Sequence, residues 1–476
     1  MKEDDFQSEF GKRLYRKYLG FITPAREEEP YEPIRQEKRP AEHEEVSLDP
    51  FFVQTADSTH DEKNQDDNLD EHPDEPFPVD IFPDNTSEEH NPFEVKHSRS
   101  EKKPKESIDL HTISDLLEKN GVVGEKENGI SIMIGLANNL NYILKGDAGT
   151  GKTYLMDTIL SVFPGVYHAE QLTDQALWYD AERINESRIL YINELQKPMA
   201  HSRSKNSSPF IDLIKTLSEG KTAEKRTTNQ KRDGVDVYSI ESKTIAATIA
   251  NENLYKEDRE LQRRFNYRET ENSEEHIRKI IESKVSRRGN IDLSGRKETL
   301  ESRLAERVEA TMDSKVNVIN PFLEYISQCF PNVKKVQAYA DHYISFFDAI
   351  GRFFAQERIG FEVDGHEFII LNLEDVYNGY RLNNDSFMKT LKEFNEGIEF
   401  EQFRPDWREC FYSGSGSLRE MSITTEYGTY NIKDIGVIDR WQELHGSTIR
   451  TTDYKTGEMM EIAELAIRDP YRLLEN

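Results

Sequence analysis

Eight consecutive residues, Gly146-Asp147-Ala148-Gly149-Thr150-Gly151-Lys152-Thr153, match the pattern G-x-x-x-x-G-K-[ST] without a mismatch. Glycines at these positions let a backbone curl until its N–H groups face a phosphate, and a helix starting at the loop adds a partial positive charge. In such a loop Lys152 reaches the outer phosphates of a nucleotide and the Thr153 hydroxyl ligates Mg²⁺. All eight residues are therefore candidate contacts to ATP. The flanks have the order that the motif needs. Asn141-Tyr142-Ile143-Leu144 reads as a short buried strand entering the loop, and Tyr154 to Leu160 as a helix leaving it.

Two later stretches could complete the chemistry. Arg188-Ile189-Leu190-Tyr191-Ile192-Asn193-Glu194 is an apolar strand with a polar end, the shape of a Walker B element. At such an end one side chain supports the Mg²⁺ shell and a Glu orients the attacking water. Glu194 suits the second task. Asn193 stands where an Asp is usual; its amide oxygen can hold a metal-bound water but adds no charge. The alternative is an ordinary buried strand followed by a solvated Glu. Lys243 to Ala250 is a further apolar strand, ending in Asn251, and Asp258-Arg259-Glu260-Leu261-Gln262-Arg263-Arg264-Phe265 follows. A polar residue at a strand tip beside the Walker B strand can touch the γ-phosphate or the attacking water, and a downstream Arg can act on the site of a neighbouring subunit.

The set GDAGTGKT, ILYINE, TIAN and ELQRRF resembles the AAA+ ATPases. Its spacing, with the segment Phe210 to Tyr238, is most similar to minichromosome-maintenance-like helicases and to phage or plasmid primase-associated helicases. The resemblance covers about residues 125–350. It implies that Glu194 and Asn251 are catalytic and that Arg264, with Arg263 in reserve, is an arginine finger acting in trans. It also implies ATP and Mg²⁺ as cofactors, the metal near Thr153 and Asn193, and a homo-oligomeric ring, expected to be a hexamer. In that group a β-hairpin lies between the Walker B and sensor strands. Here Ile211 to Gly220 fits the preceding helix, and Lys221 to Ser239 the hairpin, with its turn at Asp233-Gly234. Lys221, Lys225, Arg226, Lys231 and Arg232 face only Glu224 between Gly220 and Asp233, in an otherwise acidic chain. Lys225, Arg226, Lys231 and Arg232 are thus the candidate contacts to single-stranded nucleic acid, expected to be DNA. A solvated hairpin tip is the bland alternative.

The elements that must position these residues fill only part of the 476-residue chain. Half of the net charge of -28 falls in residues 1–107, which hold 29 acidic and 15 basic side chains. Residues 4–20 fit an amphipathic helix, with Phe6, Phe10, Leu14 and Tyr18 at i+4 spacing. Beyond about residue 25 the tail lacks any apolar period and is expected to be disordered. Its Pro-Phe dipeptides at 50–51, 76–77 and 92–93 could dock an unknown partner protein. Residues 108–272 are read as the AAA+ core, 273–360 as a helical lid, and 361–476 as a small α+β domain of short strands and short helices, a winged helix among the options. Trp407 and Trp441 are read as core residues. Cys329 and Cys410 have no metal or redox spacing. Neither a signal peptide nor a membrane span is expected, which points to a cytoplasmic or nucleoid-associated protein. The expected fold class is therefore α/β, a P-loop AAA+ core with helical lid, a C-terminal α+β domain and an acidic tail. The expected function is ATP-driven translocation on nucleic acid, as a replicative or mobile-element helicase. The rivals are a protein remodeller recruited through the tail, and a slow NTP-dependent switch.

Overall fold

The structure, a computed structural model, describes residues 93–94, 108–169, 176–197, 209–229, 234–250, 259–289, 296–333, 336–395, 398–400, 404–445 and 448–465. The helix expected over 4–20, the dipeptides at 50–51 and 76–77, and the candidates Asn251, Lys231 and Arg232 lie outside the described residues. Those described all belong to one unit, Asn91–Glu475.

Strands β1 (Phe93–Glu94), β2 (Tyr142–Lys145), β3 (Val166–Ala169), β4 (Ile189–Ile192), β5 (Ala223–Asn229), β6 (Gly234–Ile240), β7 (Thr244–Ile249) and β8 (Asn266–Glu269) follow one another along the first half of the chain. Five of them form one parallel sheet in the order β3-β4-β7-β2-β8. A parallel sheet is covered on both faces, so its strands are apolar throughout. That holds for β2, β4 and β7, whose every residue is buried. Alternation then divides each strand between two cores. Tyr142, Leu144, Ile189, Tyr191 and Ala246 join a core with helices Leu110–Lys119, Lys126–Ala137 and Lys152–Leu160. Ile143, Leu190, Ile192, Ile245, Ala247 and Ile249 face the opposite way, onto helix Pro209–Ser218. The result is a three-layer α/β/α arrangement.

The apolar segment Ile132 to Ala137 lies in the helix Lys126–Ala137. Past the sheet come helices Glu274–Gly289, Arg296–Met312, Leu323–Cys329 and Val336–Phe353. Leu304, Val308, Phe346, Ile350 and Phe353 of this group share the first core with the helices beside the sheet, so one hydrophobic cluster spans residue 272. A third core gathers the C-terminal part around Trp441, which is fully buried and donates its indole N–H to Leu371 O at 3.0 Å. Trp407 is partly buried between Tyr377 and Tyr380.

The C-terminal part departs from the expected short helices. Helix Leu373–Phe394 is 22 residues long and starts with a capping box between Asn372 and Asp375. Its inward face carries polar side chains, among them Asp375, Asn378, Asn383 and Asn384, which interrupt the apolar period. Asp375 is paired with Arg358 and Asn378 donates to Thr451 Oγ1, so these groups are bonded in the interior. The third Pro-Phe dipeptide ends in β1, which lies antiparallel to the strand Ile359–Val363, with Phe93 opposite Val363 and Glu94 opposite Glu362.

Candidate active site at the carboxyl ends of the sheet

The glycine-rich loop leaves the carboxyl end of β2 and runs into helix Lys152–Leu160. Its root is tight. A Cβ on Gly146 would come within 1.9 Å of Thr270 Oγ1, so no larger residue fits there. Thr270, just past β8, donates its hydroxyl to Thr150 Oγ1 at 2.8 Å, and its N–H bonds Lys145 O at 2.8 Å. The crown of the loop is open. Gly151, the residue before the helix, has φ of +85° with nothing near its missing Cβ, a conformation that suits glycine. The N–H groups of the first helical turn, which a helix does not bond internally, lie next to this open crown, where an anion can enter.

Lys152 is buried, and its Nζ donates to Gly146 O at 2.8 Å and Asp147 O at 2.5 Å. Burial lowers its pKa, against the opposing pull of Asp147 and Glu194. Asp147 is exposed and accepts from the Asn272 amide.

β4 and β2 do not touch. β7 lies between them, pairing with β4 from Ile189↔Thr244 to Ile192↔Ala247 and with β2 from Tyr142↔Ala246 to Lys145↔Ile249. The residue after Ala247, Thr248, is therefore level with the polar end of β4. Its hydroxyl donates to Asn193 Oδ1 at 2.9 Å and accepts the Glu194 N–H at 3.1 Å. Its carbonyl accepts the Leu195 N–H at 2.8 Å. The Thr153 hydroxyl also points to Asn193 Oδ1, at 3.4 Å. One amide oxygen thus collects the hydroxyls of the loop and of the inserted strand.

Glu194 has φ of +62°, in the left-handed region. A non-glycine residue there costs about 1–2 kcal/mol. The bonds through Thr248 hold it, and such imposed conformations concentrate at functional sites. The Glu194 carboxylate is paired with Lys197. The sequence pattern had singled out Glu194 and Asn193 but neither Thr248 nor Lys197. The one signal for Thr248 is a hydroxyl within the otherwise apolar Ile245-Ala246-Ala247-Thr248-Ile249.

Beside the loop lies a cleft of about 320 Å³, lined by Val122, Val123, Leu155, Tyr154, Ile280 and Lys284 and reaching Gly149 to Gly151. Its wall is fixed by Glu125, a buried carboxyl that accepts the Glu271 N–H at 2.8 Å and the Asn128 amide at 2.6 Å, with His276 Nε2 at 3.6 Å. Burial raises the pKa of that carboxyl. These cleft residues carried no motif in the sequence.

The other candidates among the described residues sit at the other end of the sheet. Asn141, at the amino end of β2, bonds Ser218 O, the Ile245 N–H and the Asn266 N–H. Arg264 lies two residues before β8 at this end. Its guanidinium is held by Glu219, with Nε–Oε1 at 3.0 Å, and by Glu260 Oε1 at 2.9 Å. Partial burial lowers its pKa, but the bonds to Glu219 and Glu260 outweigh this and raise it. From Arg264 to the carboxyl end of β8 is five residues, roughly 15 Å of extended chain. Arg264 is thus remote from Lys152 and Glu194 of its own chain. Arg263 has an exposed side chain, and its carbonyl meets His342 Nε2 at 2.7 Å.

The hairpin β5–β6 also rises at this amino end. Its root is buried through Ala223 and Ile240, and Asn185 bonds Ser239 O and the Glu241 N–H. Lys225 and Arg226 are adjacent on one strand and so point to opposite faces. Lys225 Nζ lies 5.8 Å from the Trp178 ring centre, while Arg226 is exposed beside Glu224, at 3.8 Å. On the facing strand Val237, opposite Arg226, and Val235, opposite Thr228, are each 57% exposed.

No helix among the described residues is long and apolar enough to cross a membrane. Comparison with known protein families and with curated proteins gives no match to this chain.

Proposed function

We propose that the chain is an ATP hydrolase of the AAA+ type that assembles as a ring and moves along single-stranded nucleic acid. The observation that carries the hydrolase reading is the meeting of three polar ends at one edge of the sheet: Lys152 and Thr153 from the loop, Asn193 and Glu194 from β4, and Thr248 from the strand between them. The cleft fits the group this implies. Its apolar walls, Val122, Val123, Leu155 and Ile280, suit a nucleobase, and it opens onto the anion-accepting loop. Thr153 and Asn193 present the hard oxygen donors that Mg²⁺ takes, and bound Mg²⁺ supplies charge neutralisation at the phosphates.

The chain's own residues then divide the work. The loop N–H groups and Lys152 hold the phosphates, which requires Lys152 to leave the carbonyls of Gly146 and Asp147. Thr248 fixes Asn193 and the backbone of Glu194. The Glu194 carboxylate, released from Lys197, orients a water for attack and accepts its proton. Arg264 lies too far away to serve this site, which supports action on a neighbouring subunit. The basic hairpin sequence, of which Lys221 and Arg226 are exposed described members, supports a nucleic-acid track.

One observation favours the protein-remodelling alternative. Val235 and Val237 present apolar surface on the hairpin, and exposed patches of that kind mark protein contacts more than phosphate contacts. The deciding experiment is the ATP hydrolysis rate alone, with single-stranded DNA, and with an unfolded polypeptide. Stimulation by DNA supports translocation on nucleic acid; stimulation by the polypeptide alone transfers the reading to the remodeller. Absence of hydrolysis in all three, with Mg²⁺ present, refutes both.

A further inference from the structure

Arg268 lies in β8, an edge strand of the five-stranded sheet, opposite Leu144 of β2. It is the buried member of that strand, with only 4% of its surface exposed. A guanidinium carries five N–H donors and keeps its charge at neutral pH. Here Nη1 donates to Leu382 O at 2.6 Å, a carbonyl of the helix Leu373–Phe394, while the buried Nη2 meets no acceptor among the described residues. Burial lowers the pKa of the group, against the opposing pull of Tyr142 and Glu127. Glu127 is itself engaged by Lys455 at 2.8 Å, and no described carboxylate lies within ion-pair distance of Arg268. Buried charges are as a rule paired, because an unpaired one is costly.

Arg268 lines a cavity of about 60 Å³ between β8 and the helices Val336–Phe353 and Leu373–Phe394. Asn383, the residue after Leu382, lines the same cavity. It is 9% exposed, and its amide makes no hydrogen bond among the described residues. Two buried side chains at one cavity thus hold hydrogen-bonding capacity in reserve, which folded proteins rarely leave unused. Much of the remaining wall is apolar, from the buried rings of Phe265, Tyr339 and Phe387. The one acid among the lining residues, Glu393, faces Lys145 at 3.9 Å. Where a single water needs about 10–15 Å³, this cavity has room for a few waters or one small organic molecule.

The reserve donors ask for an anion, and the rings ask for an apolar body. One guanidinium balances one negative charge. A phosphate, with about two charges and no apolar part, matches neither the charge nor the walls. We propose that Arg268 and Asn383 form a binding site for a small organic carboxylate, its charge held by the Arg268 Nη2 and the Asn383 amide and its body by Phe265, Tyr339 and Phe387. None of these residues lines the nucleotide cleft, so the site is separate from the one described above.

The test is calorimetric titration of the full chain with sodium acetate, propionate, butyrate and phosphate at constant ionic strength, with sodium chloride as control. The carboxylates are expected to bind saturably. Affinity should rise about fourfold for each methylene from acetate to butyrate, the gain for burying one CH₂, and phosphate should bind more weakly than butyrate. Arg268→Gln should abolish binding. A variant at a buried arginine can lose its fold, so Asn383→Leu, of similar volume, is measured beside it, with circular dichroism as the check on folding. It should weaken butyrate binding by about tenfold, the loss of one hydrogen bond to a charged group. Carboxylates that bind no better than chloride would mean that the cavity holds water only, and would overturn the proposal. Phosphate binding more tightly than butyrate, or a folded Arg268→Gln or Asn383→Leu that binds butyrate like the wild type, overturns it as well.

Discussion

Asn193 is the position at which one added charge tests the metal assignment directly. Its Oδ1 accepts the Thr248 hydroxyl at 2.9 Å and faces the Thr153 hydroxyl at 3.4 Å. Asn193→Asp keeps that accepting oxygen and the side-chain shape, replacing the amide nitrogen by a second carboxylate oxygen. A Mg²⁺ ion bound to the Thr153 oxygen at about 2.1 Å would lie roughly 5 Å from the new charge. Two opposite charges of that size and separation attract by about 1.7 kcal/mol in the dielectric of water. Thr153 is exposed, so the high-dielectric figure is the appropriate one, and it corresponds to an affinity gain of about twentyfold. The assay is ATP hydrolysis against free Mg²⁺ at saturating nucleotide, with Glu194→Gln as the background for measuring binding without turnover. The half-saturating Mg²⁺ concentration should fall by about that factor in Asn193→Asp. A midpoint within twofold of the wild type, in a protein that still folds, would refute the placement of the metal beside Thr153 and Asn193.

Lys152→Ala should abolish nucleotide binding, whereas Glu194→Gln should bind normally and turn over some two to three orders of magnitude more slowly, read by equilibrium binding and steady-state rates. Replacing Lys225, Arg226, Lys231 and Arg232 together with Ala should weaken DNA binding and flatten its salt dependence while basal hydrolysis persists; an unchanged salt slope would count against the hairpin as the track. His445 is buried, and burial pushes its imidazole down to about 4. A depressed histidine stabilises the fold fully above its unfolded value near 6.5, and this is lost as pH falls through 4, a span of about 3 kcal/mol. His445→Gln should therefore flatten the pH dependence of the urea midpoint between pH 6.5 and 4; parallel profiles in the two proteins would disprove the assignment.

Legibility in the sequence followed how local the cause was. The strands β2, β4 and β7 were readable because a sheet covered on both faces demands apolar runs, and each run ends in a glycine or polar residue that marks its carboxyl end. The helix Leu373–Phe394 was not readable at its true length. Its buried Asp375, Asn378, Asn383 and Asn384 break the apolar period, and partners such as Arg358 and Thr451 lie far along the chain. Thr248 was missed for the same reason: it gains its role from Asn193 and Glu194, which the fold brings beside it. Lys197 lies only three residues from its partner Glu194 but belongs to no motif. Arg264 was found as a residue, but its distance from Lys152 was invisible until the direction of β8 was known. The adjacency of Lys225 and Arg226 suggested a joint contact, yet strand alternation separates them.

The direction of the sheet also sets what any coupling between the two ends must cross. Thr248 at the carboxyl end of β7 bonds Asn193 and the Glu194 backbone, and Thr244 and Ile245 at its amino end bond Asn139 and Asn141. Asn141 in turn bonds Ser218 O, at the end of the helix that leads into the hairpin. Four residues of one strand, about 13 Å, thus join the candidate catalytic end to the hairpin root. A packed parallel strand transmits a shift as a rigid body more readily than it deforms, because both its faces are buried. Thr248→Val tests this link: it keeps the β-branched shape that packs in the strand but removes the hydroxyl that holds Asn193 and Glu194. Nucleotide binding should persist, while hydrolysis and its response to DNA should fall together. A variant that loses hydrolysis but retains the full fold-stimulation by DNA would show that the signal travels by some path other than β7.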